Sequence, residues 1–169
     1  MFLKDLDYLL ASWHTHGYEP LTADAVLAMP SSTAMQRYID LHETAITSDE
    51  PFVQIAIEYE IESMATSLGP RMVRQCLNVL GPESVQGLSF VEEHVKLDIG
   101  HTVFTQRQLS DFLEAHPRAV VPLARAGSTA LNAYVDFLGD CLDVASINNR
   151  LQATANSLRS SLASASGSS

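Results

Sequence analysis

The sequence predicts an all-α protein with a single domain spanning residues 1–150. Apolar residues recur at helical spacing along most of the chain, and no stretch shows sustained apolar–polar alternation with β-branched residues. Apolar types make up 46% of the 169 residues and charged types 18%, a balance typical of a packed globular core. Glycine and proline punctuate the periodic stretches, as expected for helices joined by short breaks. We therefore expect a helical bundle, with predicted segments at 2–16, 22–29, 32–46, 48–68, 70–80, 85–105 and 122–150.

The first half of the chain carries clear start and stop signals. Gly17 ends the first predicted helix, and Thr22 is placed to cap a short helical turn. Ser31 or Ser32 can cap the next helix. A run of Ser, Asp, Glu and Pro at 48–51 combines a cap, early acidic residues and a first-turn proline, which together open the helix that follows.

Proline marks the remaining breaks. The pairs Gly69-Pro70 and Gly81-Pro82 each predict the end or a kink of a helix. His116-Pro117 ends the segment before the last long helix, which we expect to run from about Pro122 to Arg150. Residues 157–169 contain seven serines in 13 positions and offer little to bury, so we predict that residues 151–169 form a disordered, Ser-rich tail.

Charge and composition exclude several classes of function. Ten basic residues against 20 acidic ones give a formal net charge of −10 and leave no basic stripe, so we expect no nucleic-acid partner. The apolar runs are too short for a membrane span, and the N-terminus lacks a basic region followed by an apolar stretch. We therefore expect a cytoplasmic protein without a membrane partner. Cys76 and Cys141 are too few for a disulfide framework, and we expect both to be buried apolar fillers.

The most informative pattern is a run of metal-ligating residues in the fifth predicted helix. His94, Asp98 and His101 are spaced i, i+4 and i+7, which places them within about 60° of one another on one helical face. Two imidazoles and a carboxylate suit a divalent metal such as Fe(II), Mn(II) or Zn(II). The alternative is an exposed face that carries these residues by chance.

Two other helices offer further ligands. Glu58 and Glu62 lie one turn apart, whereas Glu60 points about 200° away and is expected to be solvated. We expect Glu62 to face inward with Glu58 in reserve, the alternative being an acidic solvated face. In the first helix, Asp7 and His14 are seven residues apart on the face that points to the core.

The other histidines are given structural roles. His16 stands beside Gly17 at a helix end, where a histidine usually caps carbonyl groups. His42 and His116 have no matching neighbours and are expected on the surface or in loops.

Together these residues resemble the haem-oxygenase-like di-iron oxidases, an all-α family whose fold is shared with haem oxygenases and thiaminase-like proteins. The resemblance rests on the run from His94 to His101 and on Glu62 in the preceding helix, and covers about residues 1–145. It extends to a pattern of histidine, glycine, proline, alanine and tyrosine: His14, Gly17, Pro30, Ala34 and Tyr38. Because the chain is short at its N-terminus, we expect a haem-oxygenase-like bundle that lacks the usual first helix.

The resemblance implies a function and a ligand set. It implies a non-haem oxidase that uses two Fe(II) ions and O2 to oxidise a small organic substrate of amino-acid, fatty-acid or aromatic type in a biosynthetic pathway. The metal ligands that it implies are Asp7, His14, Glu62, His94, Asp98 and His101. Asp7 stands where the family usually has glutamate and lies close to the start of the chain. Fraying there would leave one iron site under-ligated, and the protein would then bind one metal, assemble the second only with substrate, or complete its bundle with a partner subunit.

Two other interpretations stay open. One is a haem-degrading or thiaminase-type enzyme on the same fold, which does not explain the convergence of His94, Asp98 and His101. The other is a non-catalytic helical accessory protein with an incomplete metal site, in which an apolar patch exposed by the missing helix promotes a homodimer.

Overall fold

The computed structural model describes residues 1–13 and 22–166, with side chains described for residues 1–12 and 22–146. These residues are helical or in short connections and contain no β-strand, so the all-α prediction is confirmed for this part of the chain. Short 3₁₀ turns precede the last three long helices. The α-helices are α1 (Phe2–Trp13), α2 (Ala23–Leu27), α3 (Thr33–Thr47), α4 (Gln54–Leu80), α5 (Ser89–Ala115) and α6 (Val120–Ser166).

Two predicted caps of the first half are confirmed. The Thr22 hydroxyl accepts the amide N–H of Ala25 at 3.1 Å, at the start of α2. Of the two serines, Ser32 caps α3, because its hydroxyl accepts the amide N–H of Met35 at 3.2 Å. Each cap provides a partner for an amide that would otherwise lack one in the first turn of its helix. The cap predicted at Ser48 is wrong, because Ser48 ends α3 and α4 begins at Gln54 without a side-chain cap.

The helix end predicted at Gly69-Pro70 is wrong. One helix, α4, runs without a break through Pro70 to Leu80. An interior proline costs a helix about 3 kcal/mol, so tertiary packing must offset this cost. The second break is confirmed, because α4 ends at Gly81, whose φ of 92° favours glycine.

The last two helices are longer than predicted. The helix α5 continues ten residues past Thr105 and ends at His116-Pro117 as expected. The backbone of α6 is helical to Ser166, beyond the end predicted near Arg150. Serine in this segment alternates with the strong helix formers Ala and Leu, which the serine count alone overlooked. That the tail is disordered stays a prediction.

The helix α4 is the centre of the fold. It packs against α5 on one side and α6 on the other, and α3 packs along α6. The core between them is small. Ile57 of α4 is fully buried against Ala45 of α3 and Ala130 of α6, and a second cluster joins Ala56 to Leu123. Alanine at these contacts lets the helix axes approach closely.

Glycine sets the separation of α4 and α5. A Cβ atom added at Gly69 would lie 2.3 Å from Cγ2 of Val95, so the two helices meet with no room for a side chain here. The same two helices carry the titratable residues of the candidate site described below. On α4, that site lies seven residues before Gly69. The contact therefore fixes how far apart those residues lie.

A buried carboxylate joins α1 to the start of α5. Asp5 is only 4% exposed, and its Oδ2 accepts the amide N–H of Phe90 at 2.7 Å. Its Oδ1 accepts the hydroxyl of Ser89. Burial alone raises the pKa of Asp5, but the hydrogen bonds from Phe90 and Ser89 outweigh it, so the pKa is lowered below its ordinary value of 3.8. Asp5 thus caps α5 from another helix.

The cysteines only partly match the prediction of buried fillers. Cys76 is half-buried, whereas Cys141 is exposed on α6, so the prediction is wrong for Cys141. Its position lies beyond the part of α6 that the bundle covers. Among the described residues, no helix combines the length and apolar character that a bilayer span requires.

We predict that Asp5→Asn destabilises the fold by about 1–2 kcal/mol at neutral pH, because the charged cap of α5 is lost. A group with a lowered folded-state pKa stabilises the fold above its unfolded pKa and loses this contribution as the pH falls through the folded value. The difference between wild type and variant should therefore shrink in acid below pH 3.8. Urea unfolding of both proteins at several pH values measures this difference in stability. Asp7→Asn, on the exposed face of the same helix, is the control and should change little.

We predict that Gly69→Ala destabilises the fold, because overpacking between α4 and α5 costs about 1–3 kcal/mol and exceeds the gain in helix propensity. Gly139→Ala is the matched control: nothing lies within 4 Å of its added Cβ atom, so it should stabilise α6 by about 0.5–1 kcal/mol. Thermal unfolding of the two variants compares them directly. A stabilised Gly69→Ala variant would contradict the close contact.

Candidate metal centre

Three predicted ligands converge between α4 and α5. Glu62 of α4 faces Asp98 and His101 of α5, and one ligand atom from each lies within 4.8 Å of the other two. Nδ1 of His101 lies 3.5 Å from Oε1 of Glu62 and 3.6 Å from Oδ1 of Asp98. The imidazole therefore stands between the two carboxylates.

Helix geometry explains this convergence. Asp98 and His101 are spaced i, i+3 and share one face of α5, as the sequence predicted. Thr105 lies one turn beyond His101, is 5% exposed and contacts the group through its hydroxyl. Its hydroxyl lies 2.8 Å from the carbonyl oxygen of His101 and 3.2 Å from Oε2 of Glu62. Since a hydroxyl has one hydrogen, it donates to one of these acceptors at a time.

The electrostatics of the group are unfavourable without a cation. Burial raises the pKa of Glu62, and the nearby Asp98 and Glu58 carboxylates raise it further, against the opposing effects of Thr105 and His101. Asp98 itself is only 9% exposed. A poorly solvated carboxylate beside other carboxylates is costly to ionise unless a positive charge, from a bound cation or a protonated imidazole, lies next to it.

The geometry of the donor atoms fits a metal ion. Four-coordinate metals with bonds of about 2.1 Å hold neighbouring ligand atoms about 3.4 Å apart. The separations of 3.5 Å and 3.6 Å between Nδ1 of His101 and the two carboxylates are close to this value. The side chain of His101 is 58% exposed, so solvent or a small molecule can reach the same point. One imidazole and two carboxylates are ligands typical of Fe(II), Mn(II) or Zn(II).

His94 is not part of this group. Its ring stacks on Phe90 with centroids 3.9 Å apart, and its Nδ1 lies 2.8 Å from the carbonyl oxygen of Phe90. Because a carbonyl oxygen only accepts, Nδ1 carries the hydrogen and Nε2 is the proton acceptor of the neutral ring. His94 thus shares the helix face with Asp98 and His101, one turn away.

The prediction that Asp7 lies on the core-facing side of the first helix is wrong, and this early-helix residue is not brought to the group. Asp7 is exposed on α1, because it lies about 200° around the helix from the buried Asp5, which faces α5. It is not among the described residues that converge with Glu62. His14 and His16 lie outside the described residues. That Asp7 and His14 bind metal stays a prediction.

The burial of Glu60 and of His42 differs from expectation. Glu58 is exposed and accepts a hydrogen bond from Gln54 at 3.1 Å. Glu60 was expected to be solvated but is half-buried, since its side chain packs over Gly127. His42 was expected on the surface but is half-buried, with Nδ1 2.9 Å from Nε2 of Gln54. Neither residue lies in the candidate site.

Sequence reasoning missed Thr105 and Asp5. Thr105 follows Asp98 by seven residues and therefore shares its face, a spacing that could have identified it. Asp5 gave no such signal, because its partners Ser89 and Phe90 lie more than 80 residues away in the chain.

An apolar cleft adjoins the metal group. It lies between α4, α5 and α6 and has a volume of about 250 Å³. Asp98 belongs both to the cleft wall and to the ligand group. The twelve lining residues include three with polar side chains, His94, Asp98 and Tyr134, and the other nine are Met64, Ala65, Leu68, Gly69, Met72, Phe90, Val91, Val95 and Leu138.

Comparisons of this chain with protein-family models, curated proteins and solved structures find no match. The resemblance to haem-oxygenase-like di-iron oxidases therefore stays a prediction from the residues themselves.

We predict that Glu62→Gln raises the free energy of unfolding of the metal-free protein more at neutral pH than in acid. A carboxyl with a raised folded-state pKa destabilises the fold as the pH rises from the unfolded pKa through the folded one, and an amide removes this penalty. Urea unfolding in the presence of a chelator, at pH 4 and pH 7, measures the effect. Glu114→Gln, exposed near the end of α5 and not among the charges that shift the pKa of Glu62, is the control. An equal effect at both pH values would contradict the assignment.

Proposed function

We propose that this protein is a non-haem metal-dependent oxidoreductase that uses O2 to oxidise an apolar small molecule. The observation that carries the proposal is that Asp98 lines an apolar cleft and also belongs to the group formed with Glu62 and His101. A metal held by this group would lie at the edge of a cavity suited to an apolar ligand.

The donor set favours a transition metal over Ca(II) or Mg(II). Imidazole is a common ligand of Fe(II), Mn(II) and Zn(II), whereas Ca(II) and Mg(II) take oxygen ligands. Fe(II) bound here would supply the activation of O2, which amino-acid side chains cannot provide. Three protein donors leave coordination positions open for small molecules, as catalytic metal sites require.

The chain's own residues would do the positioning. Thr105 restrains the Glu62 carboxylate, and the packing of Asp98 between α4 and α5 fixes the second carboxylate. The apolar walls of the cleft would exclude water from the substrate. The lining residues carry no lysine or arginine, which favours an apolar or aromatic substrate over a free amino acid with its charged groups. His94 could accept a proton from such a substrate through Nε2.

The proposal requires one ion. The described residues bring three donors together, which is a complete set for one metal. A second ion, as in di-iron oxidases, would need further donors such as His94 and the early-helix residues His14 and Asp7. The number of ions bound per chain therefore decides between a mononuclear and a dinuclear enzyme.

A second candidate function is a non-catalytic interaction protein. The observation that favours it is the large number of exposed apolar side chains, including Leu97 at 52% and Phe104 at 62% on α5. Such side chains on several helices are typical of a surface that another protein covers. Such a protein would bind metal for structural reasons and would not consume O2.

The test is anaerobic titration of the full chain with Fe(II), and with Co(II) as an optical probe. We expect one ion per chain, with His101→Ala and Asp98→Asn each lowering affinity at least about tenfold while circular dichroism stays unchanged. His116→Ala, exposed at the far end of α5, is the matched control and should bind normally. Unchanged affinity in both ligand variants would overturn the site.

Exposure of the Fe(II) protein to O2 separates the two functions. Oxygen consumption that rises with an apolar aromatic or alkyl compound, and that is lost in His101→Ala, supports an oxidoreductase. Metal binding without oxygen consumption favours the interaction protein. Two ions per chain would restore the di-iron interpretation, and loss of one of them in His94→Ala would assign that histidine.

A further inference from the structure

The helix α6 extends far beyond the bundle. Its 47 residues span about 70 Å, whereas α4 and α5, with 27 residues each, span about 40 Å. Asp140 still contacts α3, because its Oδ2 accepts the amide N–H of Ala34 at 3.4 Å. From Cys141 to Ser146 every side chain is exposed. The backbone then continues as helix for twenty more residues.

The sequence of α6 carries a seam of mostly apolar residues in a 4-3 pattern, typical of coiled coils, with Asn148 as its polar member. Thirteen positions follow it, and twelve of them are apolar or glycine. The members of the seam are Leu123, Gly127, Ala130, Tyr134, Phe137, Cys141, Val144, Asn148, Leu151, Ala155, Leu158, Leu162 and Ala165. Heptad position a falls on Cys141, Asn148, Ala155 and Leu162, and position d on Val144, Leu151, Leu158 and Ala165.

The first part of the seam is already used by the bundle. Leu123 and Ala130 are buried in the two core clusters, Gly127 contacts Glu60, and the Tyr134 ring packs against Tyr38. The second part, from Cys141 onward, continues the same register past the end of the bundle, and Val144 there is 59% exposed. The bundle thus covers the first half of the α6 seam. The second half lies on residues 141–166, which extend beyond the bundle and which we call the overhang.

We propose that the overhang, residues 141–166, pairs with the same segment of a second copy of this chain in an antiparallel coiled coil. An a/d seam is the surface that another heptad helix recognises, and the second copy supplies an identical one. A lone helical overhang of this length is marginally stable in water, so pairing gives it the apolar contact that it lacks.

The bundle dictates the antiparallel direction. On the seam side of α6, residues 123–137 are covered by α3 and α4 of the same chain. A parallel partner in register would place its own residues 123–137 in that occupied space. An antiparallel partner instead brings its overhang alongside residues 141–165, with its bundle beyond the end of the first helix.

Register and charge agree with this arrangement. All eight seam positions of the overhang are paired when Cys141 faces Ala165 of the second copy and Val144 faces Leu162, which gives the a–d layers of an antiparallel pair. The overhang carries one aspartate and two arginines within a chain of net charge −10. The acidic bundles therefore lie at opposite ends of the dimer, where their repulsion is screened.

The first test is sedimentation of the full chain over a range of concentrations. The overhang offers about 15 residues per copy at seam and flanking positions, fewer than the 20 to 30 of a standard interface, so we expect a dimer that dissociates at roughly micromolar concentration. Leu158→Glu, in the seam, should weaken dimerisation at least about 100-fold. Asn156→Glu, off the seam two residues away, is the matched control and should remain dimeric. A monomeric wild type, or an unchanged Leu158→Glu, overturns the proposal.

The second test determines the direction. In a Cys76→Ser background, Ala165→Cys is combined with the native Cys141. These positions lie about 36 Å apart along one helix, so they can bond only between copies. Mild oxidation should yield covalent dimers of this pair, and much less with either cysteine alone. Equal crosslinking of the variant that keeps only Cys141 would indicate a parallel pair and overturn the proposal.

Discussion

The contact between α4 and α5 at Gly69 and Val95 determines much of this structure. At that point the two helices are as close as a missing side chain allows, and the ligands Glu62 and Asp98 are carried on the same two helices within two turns of it. A side chain at position 69 would push the two helices, and with them the two carboxylates, apart by about the thickness of a methyl group. The glycine therefore matters less for its backbone freedom than for the distance between two charges on neighbouring helices.

That distance carries an electrostatic cost that the rest of the bundle must support. The pKa of Glu62 is raised by burial and by nearby carboxylates, so the ligand group destabilises the metal-free fold. The core that opposes this cost is small, with Ile57 as its one large side chain that is fully buried among the described residues. A cation bound between these carboxylates would therefore stabilise the fold.

The sequence predicts the parts of this structure that depend on local periodicity. The helical class, the caps at Thr22 and Ser32, the shared face of Asp98 and His101 and the inward direction of Glu62 follow from spacing within one or two turns. These features involve residues whose partners are near in the chain or lie on the same helix face.

The features that the sequence does not predict depend on distant partners. The continuation of α4 through Pro70 requires helices packed on both of its sides, which no local signal reports. Asp5 is buried and Asp7 exposed because α5 docks on one face of α1, and the spacing within α1 favours neither. The length of α6 differs from the prediction for another reason, because the alanines and leucines between the serines favour helix although the serine content does not.

The bond from Asp5 to the first turn of α5 has a consequence for local unfolding. Phe90, which receives this cap, also stacks on His94 and forms part of the cleft wall. When α1 detaches, the amide of Phe90 loses its acceptor, so hydrogen exchange in the first turn of α5 should be coupled to exchange in α1 rather than to the middle of α5. One edge of the cleft therefore opens and closes with a helix that contributes no residue to its wall.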